Sequence, residues 1–283
     1  MSNFGAEVET KSNLLATNLE LVSIDNCKFP IYGRRDAYRL FLQLVESSDP
    51  ALAAELKNGT SLQPFTVGNL QSPAGEIQRG TFSISAGQIC YLRFTALNET
   101  VTQVLLNLEK NLPETVWFGE HLFEVKELDS SNNIQNRTGQ SSYQAILERN
   151  FFNLDEPTPS RLRLGFLTPT GFKTEGLDLP LPVPKLLFGS LLQRWNSFSP
   201  GPMAEDSRLF AELKVNLGFY RIQNHSVFVD EQYKSGFTGK VEFKAVGRDR
   251  FYLQTLVALA DYSFFAGAGY KTTCGFGQME RIF

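Results

Sequence analysis

The chain has 283 residues, 42% of them hydrophobic, with 27 basic against 30 acidic side chains and a net charge of −3. This size suits two ordinary cores, since single domains cluster at about 100–150 residues, and the composition excludes disorder and collagen-like repeats. No run of about 18 uninterrupted apolar residues occurs and the stretch Met1 to Lys11 is polar and acidic, so a cytoplasmic chain without membrane span or signal peptide is expected.

Cys27, Cys90 and Cys274 are odd in number and far apart, which fits neither a disulfide framework nor a zinc site, and buried thiols are expected. The near-balanced charge gives no global pull toward nucleic acid, so an anionic partner must be held by a local patch.

In chain order, residues 13–30 carry a β-rich run, Leu19, Leu21, Val22 and Ile24, that ends at Pro30. From Ala37 the apolar residues Leu40, Phe41, Leu44 and Val45 fall on one helical stripe. Asp49-Pro50 reads as the N-cap and first position of a second short helix that Asn58-Gly59 stops. Phe65 to Phe94 alternates around glycines and predicts three short strands, clearest at Thr81 to Ser85. Asn98 opens an amphipathic helix, and Val116 to Leu128 returns to strand.

This order, β-α-β-β-α-β with one extra helix, is the ferredoxin-like order of an antiparallel sheet with two helices on one face. Ser130 to Gly139 is almost wholly polar and predicts a mobile loop or linker, so the halves are expected to divide at 1–135 and 136–283. The second half repeats the logic. A strand runs from Arg161 to Thr168, a Pro-rich turn from Pro180 to Pro184, and a helix through Trp195. Strands at Leu213 to Ile222 and Phe237 to Val246 follow, with a long apolar helix from Phe251 to Phe265 and a last strand from Phe276 to Phe283. The fold class expected is therefore α+β, with tandem ferredoxin-like domains and a glycine-rich loop near the C-terminus.

That loop, Gly267-Ala268-Gly269-Tyr270-Lys271-Thr272-Thr273-Cys274-Gly275-Phe276-Gly277, is the most informative stretch. Glycines allow positive φ and close backbone approach, so such a loop can aim amide N–H groups at a phosphate while Lys271 adds charge. The order is helix–loop–strand, the reverse of what a dinucleotide or P-loop site requires, and those readings drop out. Lys234 to Arg281 contains seven basic and four acidic residues, and on the strand after Gly239, Lys240 and Lys244 share a face with Glu242. With Arg248, this predicts a basic patch beside the loop that binds a phosphate backbone.

The tail resembles the signature of the CRISPR repeat-processing endoribonucleases, the Cas-six family: G-x-G-x-K-T-T-x-G-x-G after an apolar helix, preceded by a G-x-x-G-x-V-x-F strand. Both parts are present here, at Gly267 to Gly277 and at Gly236 to Phe243. Asp49 to Ala53, Pro64 to Val67, Phe118-Gly119 and Phe123 to Val125 extend the resemblance, which is thin between about 128 and 230. The resemblance implies tandem ferredoxin-like domains and binding of CRISPR repeat RNA, as precursor and as mature guide RNA. It also implies one metal-independent cut by attack of the ribose 2′-hydroxyl, no cofactor, and a place beside other subunits of a CRISPR effector complex.

Many members of that family carry a histidine in the first helix or at the end of the next; here these positions hold Tyr38 and Lys57. Lys57 can stabilise phosphate charge and donate a proton, Tyr38 can orient or deprotonate the 2′-hydroxyl, and Arg35 lies one turn earlier on the same flank. The candidate catalytic residues are thus Arg35, Tyr38 and Lys57, and the RNA-binding ones Gly267, Gly269, Lys271, Thr272, Thr273, Gly275, Gly277, Lys240, Lys244 and Arg248. His121 and His225, the latter read as lying in a polar turn, are expected to be structural or surface residues. Two other classes stay open: a protein that holds the repeat and cuts it slowly or not at all, and a small-molecule enzyme using the loop for a nucleotide phosphate.

Overall fold

The computed structural model describes residues 12–33, 35–59, 62–78, 80–152, 157–247 and 249–283. The expected RNA contact Arg248 lies outside the described residues. The first half runs β1 (Leu14–Ser23), β2 (Cys27–Pro30), α1 (Asp36–Ser48), α2 (Pro50–Asn58), β3 (Phe65–Val67), β4 (Glu76–Gln78), β5 (Thr81–Ile84), β6 (Ile89–Ala96), α3 (Glu99–Leu108), β7 (Thr115–Phe118), β8 (His121–Asp129) and β9 (Gly139–Ser141). The second runs α4 (Tyr143–Leu147), β10 (Arg161–Thr170), β11 (Phe172–Thr174), β12 (Leu177–Leu179), α5 (Pro184–Phe198), α6 (Asp206–Lys214), β13 (Val215–Val229), β14 (Gln232–Ala245), α7 (Arg250–Ala266) and β15 (Met279–Ile282).

Local chemistry sets the helices. On α1 the stripe Ala37, Leu40, Phe41, Leu44 and Val45 is buried, with Phe41 stacked on Phe65 at a centroid distance of 4.1 Å; each large apolar side chain buried this way contributes about 1.5–3 kcal/mol. The Asp49 carboxylate accepts from the Leu52 N–H at 2.9 Å, with Pro50 opening α2. Asn98 accepts likewise from the Val101 N–H at 3.0 Å to start α3.

The first sheet has the order β3-β6-β1-β8-β7, and the second β13-β14-β10-β15. In both, the four strands of the β-α-β-β-α-β order occupy places 2-3-1-4, all antiparallel, the ferredoxin-like arrangement. Both faces of the first sheet are covered. Leu15, Leu19 and Leu21 of β1 enter the core that includes the stripe of α1 and the buried face of α3, whereas Leu14 and Ala16 join the second core with α5 and α7. Thr95 Oγ1 on β6 donates to the Phe265 carbonyl at 2.8 Å, and Arg93 Nη2 to that of Phe264 at 2.9 Å. The two halves thus share buried surface and hydrogen bonds.

Several expectations change. The region from 65 to 94 forms four strands, because β4 and β5 leave the main sheet to pair with β2 in a small sheet of their own. Val116 to Leu128 is a hairpin, β7–β8, turning at Gly119, and the last strand begins only at Met279. The polar run after Ser130 is tied down rather than free: Asn133 and Asn132 accept from the Gln135 and Gln140 amides, and Arg93 Nε donates to the Arg137 carbonyl at 2.9 Å. After it, β9 still pairs with β1, and Tyr143 is the first buried residue beyond it in the second core. Among the described residues no helix is long and apolar enough to cross a membrane.

Candidate functional site

The hairpin β13–β14 crosses the seam between the halves and turns at Asp230-Glu231, with Val229 paired to Gln232. Both turn residues hold positive φ, 51° and 60°, where Asn-Gly is the favoured pair. Such backbone strain costs roughly 1 kcal/mol or more per residue and persists only where the surroundings impose it. Here the Asp230 carboxylate is ion-paired to Arg35 Nε from the start of α1 and to Lys271 Nζ from the glycine-rich loop. Val227 and Val229 bury against Cys274 and Phe276, with Tyr32 and Tyr270 beside them. A Cβ at Gly33, φ +85°, would stand 2.7 Å from the Phe228 carbonyl oxygen, so glycine alone permits this approach.

Two sequence-nominated catalytic residues, Arg35 and Tyr38, are therefore brought together with Lys271. Tyr38 stacks on Phe65, centroids 6.1 Å apart. Burial pushes its phenol up, Cys274 adds to this, and the Arg35 charge opposes it. A phenol raised above its ordinary range stays protonated at neutral pH, so Tyr38 is suited to orient or donate to a hydroxyl and not to deprotonate one. For Asp230, burial raises the carboxyl, but the hydrogen bonds and charges of Lys271 and Arg35 together outweigh it and hold it below the usual range. Lys57 is exposed at the end of α2; among the described residues no hydrogen bond, ion pair or ring contact joins it to Arg35 or Tyr38.

The loop itself is a correction. Its amides are spent inside the protein: Gly267 donates to the Ser263 carbonyl at 2.9 Å, Gly269 to Ser190 Oγ at 3.0 Å, Gly275 to the Val67 carbonyl at 3.0 Å and Gly277 to that of Pro169 at 3.0 Å. Gly267, Gly269, Gly275 and Gly277 therefore do not aim their N–H groups outward as expected; they let the chain cross itself and grip β3 of the other half, where Asn69 Nδ2 also donates to the Gly275 carbonyl at 2.8 Å. Thr272 is buried, and Arg194 Nη2 donates to its hydroxyl at 2.7 Å. Gly269, Tyr270, Lys271 and Thr273 are the partly exposed members, and of these Lys271 alone carries a charge.

Lys240 and Lys244 are corrected too. Their register partners on β10 are Gly165 and Arg161, whereas the loop meets Pro169 and Gly171 at the other end of that strand. At about 3.3 Å per residue, Lys244 lies roughly 30 Å along the sheet from the loop. With Arg161, Arg163 and Arg221 these lysines form a separate basic face, partly neutralised by Glu242, which pairs with Arg163 at 2.9 Å.

Sequence reasoning missed Asp230. The strands read as ending at Ile222 and beginning at Phe237 run on through the polar stretches to 229 and from 232, so the turn that carries Asp230 went unread. His225 accordingly sits within β13 rather than in a turn. Its Nε2 is 2.8 Å from Thr238 Oγ1, its ring lies 5.6 Å from that of Tyr32, and burial lowers its pKa. Beside the loop, a groove of about 710 Å³ runs past Lys173, Lys185 and Arg208 to Gly269 and Tyr270, with Leu62 of the first half at its margin.

Comparison with known proteins agrees with the tandem ferredoxin-like fold. The family CRISPR-associated endoribonuclease Cas6 matches residues 164–279, the span of the second sheet and the loop. A CRISPR-associated endoribonuclease Cas6 of Mycobacterium tuberculosis is 34% identical over 126 residues, 44% of this chain. The structure of Thermus thermophilus Cas6 superposes with a TM-score of 0.72 at 25% identity, covering 98% of this chain and 100% of that one. The chain resembles the Cas6 family in sequence over its second half and in fold over nearly its whole length. A Cas6 product complex superposes with a TM-score of 0.78 at 27% identity, over 95% of this chain and 100% of that one. The sequence match to the mycobacterial Cas6 spans 40% of that protein's length.

Proposed function

We propose that this chain is a Cas6 endoribonuclease that binds the repeat of precursor CRISPR RNA and cuts it into guide units without metal, by attack of the ribose 2′-hydroxyl on the adjacent phosphate. The observation that carries the reading is the convergence in one seam of Arg35 from α1 and Lys271 from the loop on Asp230, with Tyr38 beside Arg35. Arg35 and Lys271 would stabilise charge growing on the phosphate, and Tyr38 would orient the hydroxyl or donate to the leaving oxygen. Lys240 and Lys244 would hold a strand of the RNA farther from the seam. Retention of the product beside other subunits of an effector complex belongs to the same reading.

Arg35 and Tyr38 are both held above already high ordinary values, among the described residues no hydrogen bond or ring contact joins a histidine to either, and efficient general acid–base catalysis wants a group that ionises near neutral pH. That favours slow cutting, and it keeps in view a second reading in which the protein holds the repeat and leaves it whole. Incubation of repeat RNA with the protein in EDTA tests both. A single product, absent when the scissile nucleotide is 2′-deoxy, supports cleavage. A gel shift with no product over hours supports holding, and cutting of the 2′-deoxy substrate refutes the chemistry.

A further inference from the structure

Arg194, on α5, is 4% exposed. Its Nη2 donates to Thr272 Oγ1, while Nε and Nη1 have no hydrogen-bond partner among the described residues. The other buried arginine, Arg93, shows what compensation requires: it donates to the carbonyls of Arg137 and Phe264 and lies 4.7 Å over the Phe264 ring. Arg194 has one hydroxyl instead. A guanidinium stays charged in a protein, and a buried ion without a counter-charge opposes folding. Tyr262 is the neighbour that favours the charged form, against the larger effect of burial.

A cation kept at this cost behind the turn Thr272–Cys274 acts where an anion arrives. We propose that Arg194 is a positioning residue for the RNA backbone: it fixes the Thr272 hydroxyl and supplies a buried positive charge behind the turn, drawing a phosphodiester toward Lys271 and Thr273. Arg194 does not reach the ligand, since Thr272 is itself buried; its action is through the turn and through the field in a region of low dielectric. The inference rests on the RNA-binding reading above.

The test compares the full-length protein with R194M and R194K by thermal unfolding, by affinity for repeat RNA at fixed salt, and by single-turnover cleavage at saturating RNA. The charge being uncompensated, R194M unfolds at the same or a higher temperature, yet its Kd rises about ten-fold. R194K recovers most of the affinity, and the saturated rate changes less than Kd. A purely structural arginine gives the opposite pattern. R194M that unfolds earlier or fails to fold, or that folds and binds RNA as well as the parent, overturns the proposal. If the parent protein itself does not bind repeat RNA, the functional reading fails, and inorganic phosphate becomes the probe. Greater thermal stabilisation of the parent than of R194M by phosphate, at matched ionic strength, supports the buried charge, and equal stabilisation overturns it.

Discussion

Gly277→Ala separates a loop that grips the protein from one that cradles a ligand. Gly277 has φ +73°, and a Cβ there would lie 2.1 Å from the Ala268 carbonyl oxygen and 3.0 Å from Thr272 Cγ2. The left-handed backbone alone costs an alanine about 1 kcal/mol. The backbone carbonyl must then retreat by roughly 1 Å, which disrupts the Ala268 N–H bond to the Gly277 carbonyl, 2.9 Å, and strains that of Gly277 to Pro169, 3.0 Å, at about 1 kcal/mol each. Alanine lowers the entropy of the unfolded chain and returns about 0.4–1 kcal/mol. The net loss is about 2–3 kcal/mol, or a fall in Tm of about 4–10 °C for a chain of this size. Trp195, fully buried in the second core, reports urea unfolding by fluorescence, and RNA affinity is measured well below the transition. An unchanged unfolding free energy accompanied by weakened RNA binding would refute the reasoning, because the Gly277 amide would then be serving the ligand.

The other predictions follow from the seam. D230N loses the carboxylate shared by Arg35 and Lys271, at about 1–2 kcal/mol once the exposure of Arg35 is discounted. Because the folded-state pKa of Asp230 is depressed, this stability is fully present above about pH 4 and disappears as the pH falls through the lowered folded-state value, so the gap between urea midpoints of parent and variant should narrow progressively on acidification below about pH 4 and stay open at pH 7. Lys271→Ala weakens RNA binding and lowers the slope of log K against log salt by about one; unchanged binding at moderate salt counts against its phosphate role. Tyr38→Phe slows single-turnover cleavage more than it weakens binding, whereas Lys57→Ala, lacking any contact with Arg35 or Tyr38, serves as the control, and a comparable slowing by it would bring Lys57 into the site. The rate should show no inflection below pH 6.5, on the acid side where burial places His225, and loss of such an inflection in H225Q would show that this imidazole takes part.

The sequence made the helices and the tandem order legible because those features are written locally: the stripe from Leu40 to Val45, the caps Asp49 and Asn98, the glycine punctuation of the tail. What it concealed depends on contacts between distant segments. β1 and β6 are buried on both faces because α7 lies against the sheet, so a simple period of two does not separate core from solvent there. The hairpin through 215–245 was hidden because its outer turns are polar and its tip carries Asp-Glu where Gly would announce a turn. The glycines drew attention as a ligand loop through a true property, positive φ. Which partner that backbone approaches, Val67 and Pro169 or a phosphate, is decided by the fold and not by the spacing.

The same contacts argue that the site is formed before RNA arrives. Arg35 and Tyr38 come from one half, Lys271 from the other, and Asp230 from a hairpin that spans both. The halves cannot hinge freely, because Leu14, Ala16 and Leu97 of the first belong to the core of the second and Gly275 is bonded to Val67 and Asn69. On the proposed function, a phosphate entering the seam meets two cations already held in place, and its competitor for them is the Asp230 carboxylate. Removing that carboxylate therefore acts in two directions at once. It relieves repulsion of the RNA backbone, which strengthens binding, and it frees Arg35 and Lys271 to wander, which slows any step that needs them aligned. D230N that binds repeat RNA at least as tightly as the parent while cutting it more slowly shows both effects; slower cutting explained wholly by weaker binding would mean that Asp230 only holds the hairpin down.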